Sequence, residues 1–180
     1  MDAKRKTALL GLAFIVFLVL SYVESMIFFS ILGDILRNHL LAVIMLFIHN
    51  VLVISLIILG MTFYVNLVVS NFFKREKYAN IVLEHPRTFA IVFTIMVLFL
   101  SIIRESNLLY GRIKVEDLPL ILLISAPMGI IEGYGMYLTI KKTLSRTMSL
   151  KDLAYIYGIF LIAAIIEVGF INLLKLVATG

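Results

Sequence analysis

Residues 50–73 read NVLVISLIILGMTFYVNLVVSNFF, and this stretch decides the class of fold. Its polar interruptions are hydroxyls and amides (Asn50, Ser55, Thr62, Asn66, Ser70 and Asn71), and no charge falls within it. Crossing about 30 Å of hydrocarbon takes about 20 such residues, at a helical rise of about 1.5 Å each. A barrel strand would alternate apolar and polar side chains over about 10 residues, and this run does neither. Working outward, the runs 7–32, 118–140 and 153–175 have the same character, and 88–104 is shorter with few polar interruptions. Segment 35–49 begins Ile35-Leu36-Arg37-Asn38-His39, turns apolar through Ile48 and ends at His49-Asn50. Joined to 50–73 it would be too long for one untilted crossing. It reads as an interfacial or half-buried helix that bends near His49-Asn50. The expectation is an all-α, polytopic transmembrane helix bundle: about five spans plus that one interfacial helix, in a single integral membrane domain over 1–180.

Composition agrees. Of the 180 residues 62% are hydrophobic and 15% charged, with mean hydropathy +1.10, against about 45–50% apolar for an ordinary soluble domain. The net charge of +5 does not point to nucleic acid, because the cations flank apolar runs and do not gather on a polar, aromatic-interleaved face. The absence of cysteine excludes a disulfide framework and thiolate chemistry. Met1–Lys6 imitates the basic start of a signal peptide. The apolar run that follows reaches Leu32, too long for a cleavable core, so it is expected to remain as the first span.

Lys and Arg set orientation through the positive-inside rule. With the N-terminus in the cytoplasm, Lys4, Arg5, Lys6, Lys74, Arg75, Lys77, Arg87, Lys141, Lys142, Arg146 and Lys151 lie inside, and Arg37, Arg104, Arg112, Lys114 and Lys175 outside. That asymmetry predicts a multi-pass protein of the cell membrane with N-terminus cytoplasmic and C-terminus outside.

The informative side chains are those that are expensive where they sit. An acidic residue at the centre of a membrane helix costs about 2.5–3.5 kcal/mol on insertion scales. Glu24, Glu132 and Glu167 are in this position. Glu132 lies beside Gly129, Gly133 and Gly135, Glu167 beside Ala163 and Ala164, and Glu24 between Ser21 and Ser25. Small residues at such spacings admit a neighbouring helix. The stripe Ser55, Leu59, Thr62, Asn66, Ser70 on the second span is expected to face inward toward them, and the third span, with only Thr94 and Ser101, to be the most exposed to lipid. Two roles are open for the glutamates: neutral, hydrogen-bonded struts between helices, or a proton or cation site, which His49, Asn50 and Asn66 could join. A lone histidine beside an asparagine is more often a network residue than a ligand. Pro127 predicts a kink before Glu132, and Gly129 with Gly133 predicts close packing. No metal is assigned, no cofactor is expected, and catalytic motifs such as His-Glu-x-x-His or Gly-x-Ser-x-Gly are missing.

These residues carry a resemblance. Asn50, Gly60 and Asn66 in one span, Pro127-Met128-Gly129-Ile130-Ile131-Glu132 in a later one, and Ala163-Ala164-Ile165-Ile166-Glu167 in the last resemble the pattern of the stage II sporulation protein M family of integral membrane proteins. The likeness covers about residues 35–175 in the right order. Met128 stands where that family's pattern has histidine, so a role resting on that imidazole does not carry over. The resemblance implies a membrane scaffold or assembly component without catalytic activity. The alternative is a small proton- or cation-handling transporter or channel built on Glu24, Glu132 and Glu167. Expected partners are membrane lipids, other membrane proteins and a second copy of the chain, paired as a homodimer through small-residue faces.

Overall fold

The structure, a computed structural model, describes residues 3–70, 81–110 and 118–179. Five long helices carry the fold: α1 (Ala3–Ile35), α2 (His39–Val69), α4 (Pro86–Tyr110), α5 (Leu118–Leu144) and α6 (Leu150–Thr179), with a single-turn α3 (Ile81–Glu84) before α4. No strand occurs among the described residues. The end of the expected second span, 71–73, and the loop cations Lys74, Arg75, Lys77, Arg112 and Lys114 lie outside them.

Thr7–Phe28, His39–Val69 and Leu150–Asn172 are long and apolar enough to cross a membrane, and Pro86–Ser101 is a shorter apolar helix. The outer surface fits that reading. Leu12, Ile15, Met26, Val92, Ile95, Leu123 and Ile130 are all more than half exposed, a surface that would aggregate in water and is ordinary against lipid.

The separate interfacial helix and its bend are corrected. One unbroken helix runs from His39 to Val69 through His49-Asn50. Asn38 starts it, its side chain accepting a hydrogen bond from the Leu41 amide at 3.2 Å. No proline or glycine precedes Gly60 to break it. The two polar residues that suggested a break are partnered across helices, as shown below. At 31 residues the helix is about 46 Å long, more than a membrane's hydrocarbon, so as a span it must tilt or project.

Contacts fix the direction of each helix. α1 and α2 form an antiparallel hairpin in which rings fill glycine notches reciprocally. A methyl on Gly60 would stand 2.8 Å from Phe14 Cε2, and one on Gly11 2.9 Å from Phe63 Cε2. α2 and α5 run parallel: Ile54 shares a core cluster with Met136, and Val65 another with Ile140 and Leu144. α5 and α6 are antiparallel, Gly135 meeting Phe160 and Lys142 Nζ meeting Asp152 Oδ1 at 2.8 Å. α4 runs against α5, with Leu98 over Gly133 and Ala90 beside Ile140 and Leu144. The N-termini of α1, α4 and α6 therefore share one end of the bundle with the C-termini of α2 and α5. The core follows α2, whose buried side chains are Ala42, Leu46, His49, Asn50, Ile54, Val65 and Val68. α1 packs on α2 and on no other helix to a comparable extent.

Thr94 is buried against α5, so α4 is not the most exposed helix. That description fits α1, where no residue of the best 18-residue window is buried.

Candidate functional site

One turn of α2 gathers the polar side chains. His49 and Asn50 are each 8% exposed and, being adjacent, point to different neighbours. His49 Nδ1 lies 2.9 Å from Glu24 Oε2 and 3.2 Å from Oε1, so with its proton on Nδ1 it donates to both carboxylate oxygens. The Phe28 ring stacks on the imidazole at 4.8 Å between centroids and 10° between planes, walling the pair on one side. Asn50 Nδ2 donates to Glu132 Oε1 at 3.2 Å. A single turn thus ties α1 to α2 and α2 to α5.

The chemistry follows from burial. The Glu24 and His49 side chains are 20% and 10% exposed, where an unpaired charge is costly and a paired one affordable only with good geometry. Held face to face, an imidazole and a carboxylate satisfy each other's polar atoms, and a positive ring would offset the anion. Asn50 offers Glu132 a neutral donor and cannot balance an ionised carboxylate in the same way. One further polar group stands at this level of α4: Thr94 Oγ1, buried and without a hydrogen-bond partner, on a residue whose methyl reaches toward Gly133.

The other expected site residues are placed as follows. Glu167 is half-buried on α6, beside the buried Ala163, Ala164 and Val168. Asn66 lies four turns along α2 from Asn50. It donates to its own helix at the Thr62 carbonyl, 2.8 Å away, and lines a separate cavity of about 330 Å³ with Thr62, Thr143 and Arg146. Ser55 and Ser70 likewise donate to Val51 and Leu67 carbonyls of α2, so these three members of the expected inward stripe are satisfied within their own helix. Pro127 sits inside a continuous α5 and is exposed. Of the two glycines expected to pack closely, Gly133 does: a methyl there would come 2.7 Å from Leu98 Cδ1, whereas among the described residues nothing lies within 4 Å of one on Gly129. Among the described residues no group of three or more His, Cys, Asp or Glu could hold a metal.

Glu24 as the partner of His49 escaped the sequence reading, although a signal existed. In an antiparallel hairpin, residues equally far from the turn meet, and Glu24 and His49 are nearly equidistant from Leu36–Asn38, as are Phe14 and Gly60. Placing a bend at His49 hid that symmetry.

Together these features define an all-helical bundle with at least three membrane-length apolar helices, cross-tied by polar pairs on one turn of its central helix. The chain matches no family model, no curated protein and no solved structure.

Proposed function

We propose that this chain is a five-span integral membrane protein acting as a scaffold or assembly component without catalytic activity, of the type that the stage II sporulation protein M family represents. The observation that carries this reading is the pairing of Glu24 with His49 and of Asn50 with Glu132. Acidic side chains already engaged by partners on neighbouring helices organise a bundle. Supporting it, the five long helices alternate in direction, and Arg5, Arg87, Lys141, Lys142, Arg146 and Lys151 gather at one end, which the positive-inside rule makes cytoplasmic. The Pro127–Glu132 and Ala163–Glu167 segments add the family likeness.

A second reading draws on the same pair. A carboxylate 2.9 Å from an imidazole is also the unit from which intramembrane proton relays are built. Reconstituted liposomes separate the two. The scaffold predicts no proton or cation flux above protein-free vesicles, and lower thermal stability for Glu132→Ala, which leaves Asn50 without its acceptor. Flux that depends on a cation or a proton gradient and disappears in Glu132→Gln would replace the scaffold with the transporter.

A further inference from the structure

The cavity of about 330 Å³ beside Asn66 lies between the C-terminal part of α2 and the α5–α6 turn. Ile58 and Val65 give it apolar wall, and Thr62, Asn66, Thr143 and Arg146 line it with polar groups. Arg146 stands in a left-handed conformation, φ 56°, at a turn position where glycine fits without strain. Strain of this kind gathers where a side chain has to be held in one place for use, and the side chain held here borders the cavity. Among the described residues Arg146 forms no ion pair. Its neighbours are committed: Lys142 is balanced by Asp152 at 2.8 Å, and Lys141 lies over the Tyr137 ring at 5.6 Å. Arg146 is therefore the charge left to offer a guest. α2 and α5 end here and α6 begins, which leaves about half a negative charge from the helix dipoles, and one guanidinium outweighs it.

The rest of the polar lining says what fits. Asn66 spends its Nδ2 on the Thr62 carbonyl at 2.8 Å, and Thr143 its hydroxyl proton on the Thr139 carbonyl at 2.7 Å. What remains, Asn66 Oδ1 and Thr143 Oγ1, can only accept. Arg146 can only donate, through a fork of N–H groups that matches paired oxygens. The Thr62 hydroxyl makes no hydrogen bond among the described residues, so it is open to donate. A guest suited to this set brings negative oxygens for Arg146 and Thr62 and an O–H for the acceptors. A carboxylate has the first and lacks the second. A phosphate monoester, whose second pKa is about 6, offers both in its singly charged form. We propose that this cavity binds a phosphate monoester group, its anionic oxygens on Arg146 and Thr62 and its hydroxyl toward Asn66. The group belongs either to a soluble molecule or to a lipid headgroup at the membrane surface, and only the lipid source rests on the membrane reading above.

The test uses the full chain in an uncharged detergent. One sample is dialysed to equilibrium against radiolabelled inorganic phosphate. Two others receive phosphatidic acid or diacylglycerol, which has the same chains and no phosphate, and are read by native mass spectrometry. One phosphate or one phosphatidic acid retained per chain, without retention of diacylglycerol, is expected. Binding of inorganic phosphate assigns a soluble source, and phosphatidic acid retained alone assigns a lipid headgroup. Arg146→Gly suits the backbone of the turn and removes the guanidinium, so it is expected to weaken binding about 10- to 100-fold, the factor that a charged hydrogen bond carries. Thr62→Val removes one hydroxyl and is expected to weaken it about 2- to 10-fold, which keeps the test decisive should Arg146→Gly not fold. Retention of neither phosphate nor phosphatidic acid overturns the proposal and leaves the cavity to water. Binding that these substitutions leave unchanged puts the phosphate elsewhere on the molecule and overturns this site. Diacylglycerol retained as well as phosphatidic acid shows that chains are held and not phosphate, and overturns it too. The inorganic phosphate arm reads the site whether or not the helices cross a membrane.

Discussion

At the scale of single residues, the pairing of Glu24 with His49 is the strongest claim. Both side chains are mostly buried, the contact is bidentate, and Phe28 holds the ring in its plane. Hydrogen bonds between membrane helices average about 0.6 kcal/mol and reach about 1.7, and this charge-assisted pair belongs at the upper end. A double-mutant cycle with Glu24→Ala and His49→Ala, read by thermal unfolding in detergent, is expected to return a coupling of about 1–1.5 kcal/mol. Additive single effects would show that the two do not interact. Glycines give a second test with an internal control. A methyl on Gly135 would meet Phe160 Cε2 at 2.6 Å and Cζ at 2.9 Å, and that ring is only 1% exposed, so it has nowhere to go. A methyl on Gly158 has nothing within 4 Å among the described residues. Gly135→Ala is expected to destabilise by about 1–3 kcal/mol, the usual penalty of overpacking. Gly158→Ala is expected to be neutral or to stabilise by up to about 1 kcal/mol through helix propensity. Equal effects at the two sites would contradict the α5–α6 packing. The sequence could mark Gly135 as a small residue near an acidic one. It could not say which of Gly129, Gly133 and Gly135 touch a neighbour, since that depends on helix rotation.

At the scale of elements, the helix ends are where local chemistry can be read. Expected and observed helices agree closely at 118–140 against Leu118–Leu144 and at 153–175 against Leu150–Thr179, because a long apolar run is helical and the helix continues a few residues beyond it. The failure was at α2, where His49-Asn50 looked like a boundary. Polar residues inside an apolar run mean either an end or a partner, and a partner on α1 or α5 is a tertiary fact. The α5–α6 turn shows what holds two such elements in register. Arg146 takes a left-handed conformation, φ 56°. The Thr147 amide donates to the Lys142 carbonyl and the Arg146 amide to Thr143, a pairing usually built on glycine. α6 then opens with Ser149 and Asp152 capping each other, while Asp152 also binds Lys142. Arg146→Gly is expected to stabilise by about 1 kcal/mol by relieving the left-handed side chain, seen as a melting temperature about 2–4 °C higher. A lower melting temperature would show that the arginine side chain contributes more than its backbone strain costs.

At the scale of the whole molecule, the arrangement turns on how many helices cross the membrane and in which direction. The helices alternate: α1, α4 and α6 point one way, α2 and α5 the other. The Leu36–Asn38 turn and the Ser145–Ser149 turn therefore lie at opposite ends of the bundle. A five-span protein with a cytoplasmic N-terminus puts Asn38 outside and Ser145 inside, on the side where the basic residues collect. Since the natural chain has no cysteine, Asn38→Cys and Ser145→Cys each give one thiol, both at exposed positions. In intact cells a membrane-impermeant maleimide is expected to label residue 38 at once and residue 145 only after permeabilisation. The reverse pattern would invert the protein without disturbing the bundle. Labelling of both from the same side would break the alternation, because α2, the continuous helix through His49 and Asn50, could not then cross between them. The polar pairs on α2 would in that case sit outside the hydrocarbon, and an energetic reason for every buried carboxylate to have a neighbour would go with them.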